Sequence, residues 1–175
     1  RRTERADGKE RDILMLKINI ICIGKIKEKY FSDAIAEYTK RLGAFCKFTI
    51  VELAEEKIRD NIPNQSQISE VLLAEGRSIL KKISPSDYVV ALCIEGKLTS
   101  SEELSKTLDS LALSGKSTVS FVIGGSYGLS DKVKIRADMR LSMSRMTFPH
   151  TMARMILTEQ IYRAFEISTN GKYHK

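Results

Sequence analysis

Three internal stretches of the chain and its last residues hold the side chains and the backbone freedom that chemistry needs. Ile123-Gly124-Gly125-Ser126-Tyr127-Gly128 sets three glycines within five positions. Glycine lets backbone approach a ligand closely and tolerates positive φ; the plain alternative is a tight turn into the next helix. Leu92-Cys93-Ile94-Glu95-Gly96-Lys97 also turns on a glycine after an apolar run, and alone it reads as an ordinary strand-to-helix connection. Leu141-Ser142-Met143-Ser144-Arg145-Met146-Thr147-Phe148-Pro149-His150 ends a strand pattern in small polar residues, with Pro149 where a helix begins. Its exposed backbone groups can read the edge of a purine. His150, in the first helical turn, reads as structural rather than catalytic. The chain closes Asn170-Gly171-Lys172-Tyr173-His174-Lys175. Fraying is the common fate of such residues. Yet an aromatic, an imidazole and a cation together can stack on a nucleobase and neutralise a phosphate.

The elements that must position these stretches alternate. Leu16–Ile23 is an apolar run ended by Gly24, and Phe31, Ile35, Tyr38 and Leu42 mark one face of a helix. Phe48–Leu53 predicts a second strand, and Asn61-Ile62-Pro63-Asn64 a break. Ile68, Leu72, Ile79 and Ile83 mark a second helix, stopped by Ser84-Pro85, before the apolar strand Tyr88–Ile94. A third helix over Ser100–Leu113 takes Ser100 or Ser101 as its cap. Thr118–Ile123 predicts a fourth strand, Ser130–Ala137 a short helix, Met139–Met143 a fifth strand, and Pro149 to about Thr169 a long last helix that Gly171 can end. Strict β-α alternation predicts a single-domain open parallel sheet covered by helices on both faces. Ligands of such sheets bind beyond the carboxyl ends of the strands, where the stretches above fall. The last helix carries Met152, Met155, Ile156, Leu157, Ile161, Tyr162, Ala164 and Phe165 around most of its circumference. Such a helix is buried on most sides, and a homodimer supplies the second cover. Arg154, Glu159 and Arg163 interrupt this surface, either paired within it or facing a site.

Composition narrows the function further. In 175 residues, 29 Lys and Arg against 22 Asp and Glu leave a net charge of +7, which favours an anionic partner, nucleic acid before an acidic membrane surface; the alternative is a solubility device. Apolar runs of only a few residues predict no membrane span. Cys22, Cys46 and Cys93 form no Cys-x-x-Cys pair and read as reduced core thiols of a cytoplasmic protein. His150 and His174 are the only histidines and lie far apart, which argues against a metal site. The loop Gly24-Lys25-Ile26-Lys27 lacks Gly-x-Gly-x-x-Gly, and no Walker loop is present, so a dinucleotide or nucleoside-triphosphate site is disfavoured. Residues 1–14 are expected to stand outside the folded domain of 15–175. Arg1–Asp12 contains five basic and four acidic residues and no large apolar one, and Met15 is a plausible native start.

Taken together, Leu92–Lys97, Phe121–Gly128, Leu141–Ser144 with Met146–His150, Glu159-Gln160-Ile161-Tyr162-Arg163-Ala164, the closing Tyr173-His174-Lys175 and the opening Ile21-Cys22-Ile23-Gly24-Lys25 resemble the small SPOUT-class methyltransferases, and more closely the RlmH family (also called YbeA). The similarity runs from Met15 to Lys175; Lys172 stands where the family often has Pro or Ala. The resemblance implies an S-adenosylmethionine-dependent enzyme that methylates N3 of a pseudouridine in helix 69 of 23S rRNA, on the assembled ribosome. It also implies a C-terminal trefoil knot and an obligate homodimer. By residue-wise match, Leu92, Gly124, Met143, Ser144, Arg145, Met146, Thr147 and Phe148 would line the cofactor pocket. Tyr173, His174 and Lys175 would form the target site against the partner subunit's cofactor. His174 is then the candidate base for the imide proton, with Tyr173 and Lys175 placing the substrate. The rival readings are methylation of another RNA base and a non-catalytic RNA-binding dimer in ribosome assembly.

Overall fold

The computed structural model of the chain describes residues 15–174. The expectations placed on residues 1–14 and on Lys175 therefore lie outside the described residues.

Ten elements alternate along the chain: β1 (Lys17–Ile23), α1 (Lys29–Leu42), β2 (Lys47–Leu53), α2 (Gln65–Leu80), β3 (Tyr88–Leu98), α3 (Ser101–Leu113), β4 (Thr118–Ile123), α4 (Asp131–Arg136), β5 (Met139–Ser142) and α5 (His150–Ser168). The strands form one sheet in the order β2-β1-β4-β3-β5, and every pairing is parallel. Side chains alternate across it. Ile18, Ile20 and Cys22 pack with Leu42, Leu104, Leu108, Leu157 and Ile161, so α1, α3 and α5 cover one face. Ile21 and Ile23 pack with Ile79 and Val133, so α2 and α4 cover the other. Burial on both faces is why the inner strands read as continuous apolar runs.

Three expectations change in detail. The first concerns β3, which does not stop at Ile94. It runs on to Leu98, and its pairing with β5 jumps from Leu92↔Leu141 to Lys97↔Leu141. Gly96 is no simple turn: a Cβ there would stand 2.7 Å from the Leu141 backbone carbon and 2.8 Å from that of Arg140. The glycine is needed because one strand passes flush against another. The second concerns α5, which is flanked within the chain. α1 and its exit stand on one side, where Phe45 stacks on Phe165 at 5.6 Å and Tyr38 lies 5.9 Å from Tyr162. α3 stands on the other, where the Ser105 hydroxyl donates to the Ala164 carbonyl at 2.7 Å. Much of the cover that the sequence assigned to a partner is thus supplied by neighbouring helices, leaving Met152, Met155 and Ile156 half-buried. The third concerns helix ends. Asn64 and Gln67 form a capping box at α2, as Ser100 and Glu103 do at α3. Pro149 sits one residue before α5 rather than in its first turn. Asn170 (φ 54°), not Gly171, makes the left-handed stop, and the Gly171 amide closes back on the Glu166 carbonyl at 2.7 Å.

Arg154, in the second turn of α5, is 1% exposed. It donates to Glu52 Oε1 at 2.6 Å and to the Gly24 and Ile23 carbonyls at 2.9 and 3.3 Å. One guanidinium therefore ties α5 to the carboxyl ends of β1 and β2. Of the three polar residues that interrupt the α5 surface, Glu159 and Arg163 pair with each other within it, whereas Arg154 pairs across to the sheet.

Candidate active site

Beyond the carboxyl ends of β3, β4 and β5 lies a cavity of about 540 Å³. Three loops wall it. After β4, the chain doubles back: Gly128 has φ 86°, its amide donates to the Gly125 carbonyl at 3.1 Å, and a Cβ on Gly124 would overlap the Gly128 carbonyl. The overlap at Gly124 leaves no room for a side chain and the positive φ at Gly128 disfavours one, so at these two positions backbone rather than side chain borders the cavity. After the regular part of β3, Leu92, Cys93, Ile94 and Glu95 form the second wall, with Glu95 ion-paired to Lys134 of α4. That ammonium holds the Glu95 carboxyl below its ordinary range, mainly through the hydrogen bond between them. After β5, the Ser142 hydroxyl donates to the Ser144 carbonyl at 2.9 Å and the Met146 amide to the Ser144 hydroxyl at 3.0 Å. This turn leads into Thr147, Phe148 and His150 at the start of α5. The Nε2 of His150 lies 3.6 Å from where a Gly24 Cβ would stand, so the loop after β1 abuts the same wall.

Leu92, Gly124, Met143, Ser144, Met146, Thr147 and Phe148 all line the cavity, as the sequence proposed. Arg145 does not; it is exposed on the outside of its turn. Cys93, Ile94, Glu95 and Gly125–Gly128 share the loops already singled out and follow from the same signals. Lys134 and Ala153 line the cavity too and carried no sequence signal, because each arrives from a helix packed across the loop. The lining combines apolar side chains with polar backbone, which suits a small ligand that is partly apolar and partly polar. The volume falls in the range of about 300–1,000 Å³ common for small-ligand sites. Another hollow, of about 620 Å³, lies between residues 56–60 and α2, is walled by charges of both signs, and contains none of the expected residues.

The tail lies elsewhere. Tyr173 packs edge-on against Tyr162 at 4.9 Å, with its hydroxyl 3.1 Å from that of Tyr38 and 3.0 Å from Glu159 Oε1. Burial, then the hydrogen bonds to Tyr38 and Glu159, push its phenol pKa up, so it stays protonated. Arg163 covers the Tyr173 ring at 4.7 Å and is gripped by Glu159 at 2.5 and 2.9 Å, which raises the guanidinium pKa further. His174 stands between Arg163 (Nδ1, 3.4 Å) and Glu102 (Nε2, 2.9 Å). A ring nitrogen facing a guanidinium must accept and one facing a carboxylate must donate, so this seat fits the neutral Nε2–H tautomer. Arg163 lies 13 residues along α5 from His150, roughly 20 Å at ~1.5 Å per residue. Tyr173 and His174 therefore do not share a cavity with Gly124 and Phe148 within one chain.

The family profile described as "Predicted SPOUT methyltransferase" matches residues 16–174. The chain belongs to the SPOUT methyltransferases. This SPOUT methyltransferase is 54% identical over 160 residues to the ribosomal RNA large subunit methyltransferase H of Bacillus pumilus (strain SAFR-032), covering 91% of this chain and 100% of that relative. The protein of the same name from Clostridioides difficile (strain 630) is 52% identical with the same coverage. Among solved structures, a methylase-family protein from Neisseria gonorrhoeae superposes with a TM-score of 0.50 at 17% identity, covering 91% of this chain and 86% of that one, a likeness of fold alone. Among the described residues of the SPOUT methyltransferase, no group of three or more His, Cys, Asp or Glu could hold a metal ion, and no helix is long and apolar enough to cross a membrane.

Proposed function

We propose that this chain is an rRNA methyltransferase that uses S-adenosylmethionine to methylate N3 of a pseudouridine in helix 69 of 23S rRNA, acting on the assembled ribosome, in the cytoplasm, as a homodimer. Identity above 50% over the full length of relatives named as ribosomal RNA large subunit methyltransferases supports the substrate class. The single observation that carries the chemistry is the cavity, in which seven of the eight expected cofactor positions converge around a glycine-built backbone loop. When bound, S-adenosylmethionine supplies an electrophilic methyl group on a sulfonium, so the protein's task is chiefly alignment and handling of the imide proton. Gly124 and the 143–148 turn, without Arg145, would hold the cofactor by backbone, with Leu92, Met143 and Phe148 as apolar walls.

The separation of Tyr173 and His174 from the cavity of their own chain favours delivery by a second subunit. The half-buried Met152, Met155 and Ile156 on α5, together with exposed Ile94 and Met146 at the cavity mouth, offer apolar surface for that contact. Arg163 remains a cation and would favour the imide anion. His174 would accept the proton only after giving up its contact with Arg163. Exposed Lys25, Lys27 and Tyr30 follow β1 beside His150 and suit phosphate and base contacts. Residues 15–175 would make up the methyltransferase domain.

The test is incubation of the protein with tritiated S-adenosylmethionine and ribosomes lacking the modification, followed by location of the labelled nucleoside. Label in 3-methylpseudouridine of helix 69 is the expected outcome. Label in another base corrects the substrate. Cofactor binding without transfer favours the RNA-binding dimer.

A further inference from the structure

The floor beneath the Gly124–Gly128 turn is made by two consecutive residues of α2. Glu75 is 3% exposed. Its Oε1 accepts the Glu56 amide at 3.1 Å, while Oε2, equally buried, has no hydrogen-bond partner. Both oxygens lie behind Gly125: a Cβ there would stand 3.0 Å from Oε2, 3.2 Å from Oε1 and 3.1 Å from Ile23 Cγ2. The next residue, Gly76, meets the other end of the loop. The Ser130 hydroxyl fills the place its Cβ would take, and that hydroxyl too is buried without a partner. Gly125 does not have a left-handed φ, so its backbone would accept alanine; the space is what the carboxyl denies. The 55–56 segment completes the contact, since the Ser126 hydroxyl donates to Glu55 at 3.1 Å.

A half-satisfied buried carboxyl is costly, and an apolar residue would fill the same volume without that cost. What the carboxyl adds is a fixed seat for the loop. Resting on the assignment of the cavity to S-adenosylmethionine, we propose that Glu75 is a positioning residue for the cofactor loop, its carboxyl setting the height of Gly125 at the cavity wall and joining that loop to the Glu55-Glu56 segment. Glu75 touches neither cofactor nor substrate; it acts through Gly125. Burial first, then the neighbouring Glu55 and Glu56 carboxylates, push its pKa above 4.5, against the opposing Glu56 amide. Gly125 and Ile23 bring no charge to it. Its neutral form is thus the one the fold favours. The contribution is complete below the ordinary carboxyl pKa and is lost as pH rises through the raised one. An ionised Glu75 beside Glu55 and Glu56 loosens the seat.

The experiment is calorimetric titration of the full chain with S-adenosylmethionine from about pH 5 to about pH 8, with thermal melts of every variant. Glu75→Gln keeps the shape and the acceptor for the Glu56 amide, and cannot ionise. It should bind within about threefold of the unsubstituted protein at the acid end and lose the pH dependence that the unsubstituted protein shows. Glu75→Ala should weaken binding about tenfold. Gly125→Ala should weaken it as well, and Gly125→Ala combined with Glu75→Ala should lose less than the two single losses added, because the second change removes the group that the new methyl strikes. Identical pH profiles for the protein and its Glu75→Gln variant overturn the assignment; so does unaltered affinity in a folded Glu75→Ala protein. If the alanine variants do not fold, the glutamine comparison alone decides. Failure of the unsubstituted protein to bind S-adenosylmethionine instead overturns the cofactor assignment, and with it the role of Glu75.

Discussion

Arg154→Met is the substitution whose outcome the structure fixes most closely. Methionine fills most of the volume, so little cavity is left, and the loss is electrostatic. The two carbonyls at the end of β1, Ile23 and Gly24, lose a charge-assisted donor, at about 1.5 kcal/mol each. Glu52 loses its partner too, but its side chain is 35% exposed and turns to water, so its share is small. The buried Nε of Arg154, which has no acceptor, returns a fraction of the loss when it is removed. The sum is about 3 kcal/mol, at the low end of what breaking a buried pair costs. In a domain of this size that lowers the melting temperature by roughly 6–12 °C. Urea denaturation at pH 7 reads it directly. Arg154→Met should lower the midpoint with the slope unchanged, and Arg154→Lys should recover about half, because one ammonium cannot reach both carbonyls and Glu52. A methionine variant within 1 kcal/mol of the parent, or one more stable, would refute the reasoning, since it would mean that the desolvation of the guanidinium had cancelled its bonds.

Other outcomes follow from the same structure. Burial holds the Cys22 and Cys46 thiols up at about 11 and about 12. Burial raises the Cys93 thiol too, but it alone of the three is partly exposed and borders the cavity, so in native protein at mildly alkaline pH a thiol reagent should label Cys93 first, and saturating S-adenosylmethionine should slow that labelling. Gly96→Ala should cost about 3 kcal/mol or prevent folding, because the Leu141 backbone cannot retreat without breaking β5 from β3; a melting temperature within a few degrees of the parent would count against the close passage. Tyr173→Phe removes one hydroxyl from between Tyr38 and Glu159 and should cost about 1 kcal/mol, read by urea titration, with cofactor affinity untouched. His174→Ala should slow single-turnover methylation at saturating ribosomes while leaving the calorimetric S-adenosylmethionine affinity unchanged; unaltered turnover removes His174 from proton transfer.

The sequence disclosed order along the chain far better than arrangement in space. Alternation of Ile18, Ile20 and Cys22 with Ile21 and Ile23, and the glycines after three of the five strand runs (Gly24, Gly96 and Gly124), are local patterns, so the succession of strands and helices could be read directly. Strand order was hidden because β1, β3 and β4 are all apolar on both faces and no local feature ranks their pairings. Gly96 illustrates the same limit: a turn and a close crossing both select glycine, and only the neighbour 45 residues away distinguishes them. The loops that wall the cavity were legible because their demands are on their own backbone. Glu75 was not, because its meaning comes from Gly125, which no spacing in α2 reveals. The apolar girth of α5 was legible, but the share of its cover that α1 and α3 supply was not, because nothing in the spacing of α5 marks which helices flank it.

One helix, α5, begins at the cavity with His150 and carries the seat of Tyr173 and His174 toward its far end. If each cavity is completed by the other copy's tail, the two defects are separable between subunits. A chain with a ruined pocket still lends a sound tail, and a chain with a ruined tail still offers a sound pocket. Mixing an inactive Gly124 variant with an inactive His174 variant should then restore roughly a quarter of the parental rate, since half of the randomly reassorted pairs contain one working site out of two. Either preparation alone would stay silent.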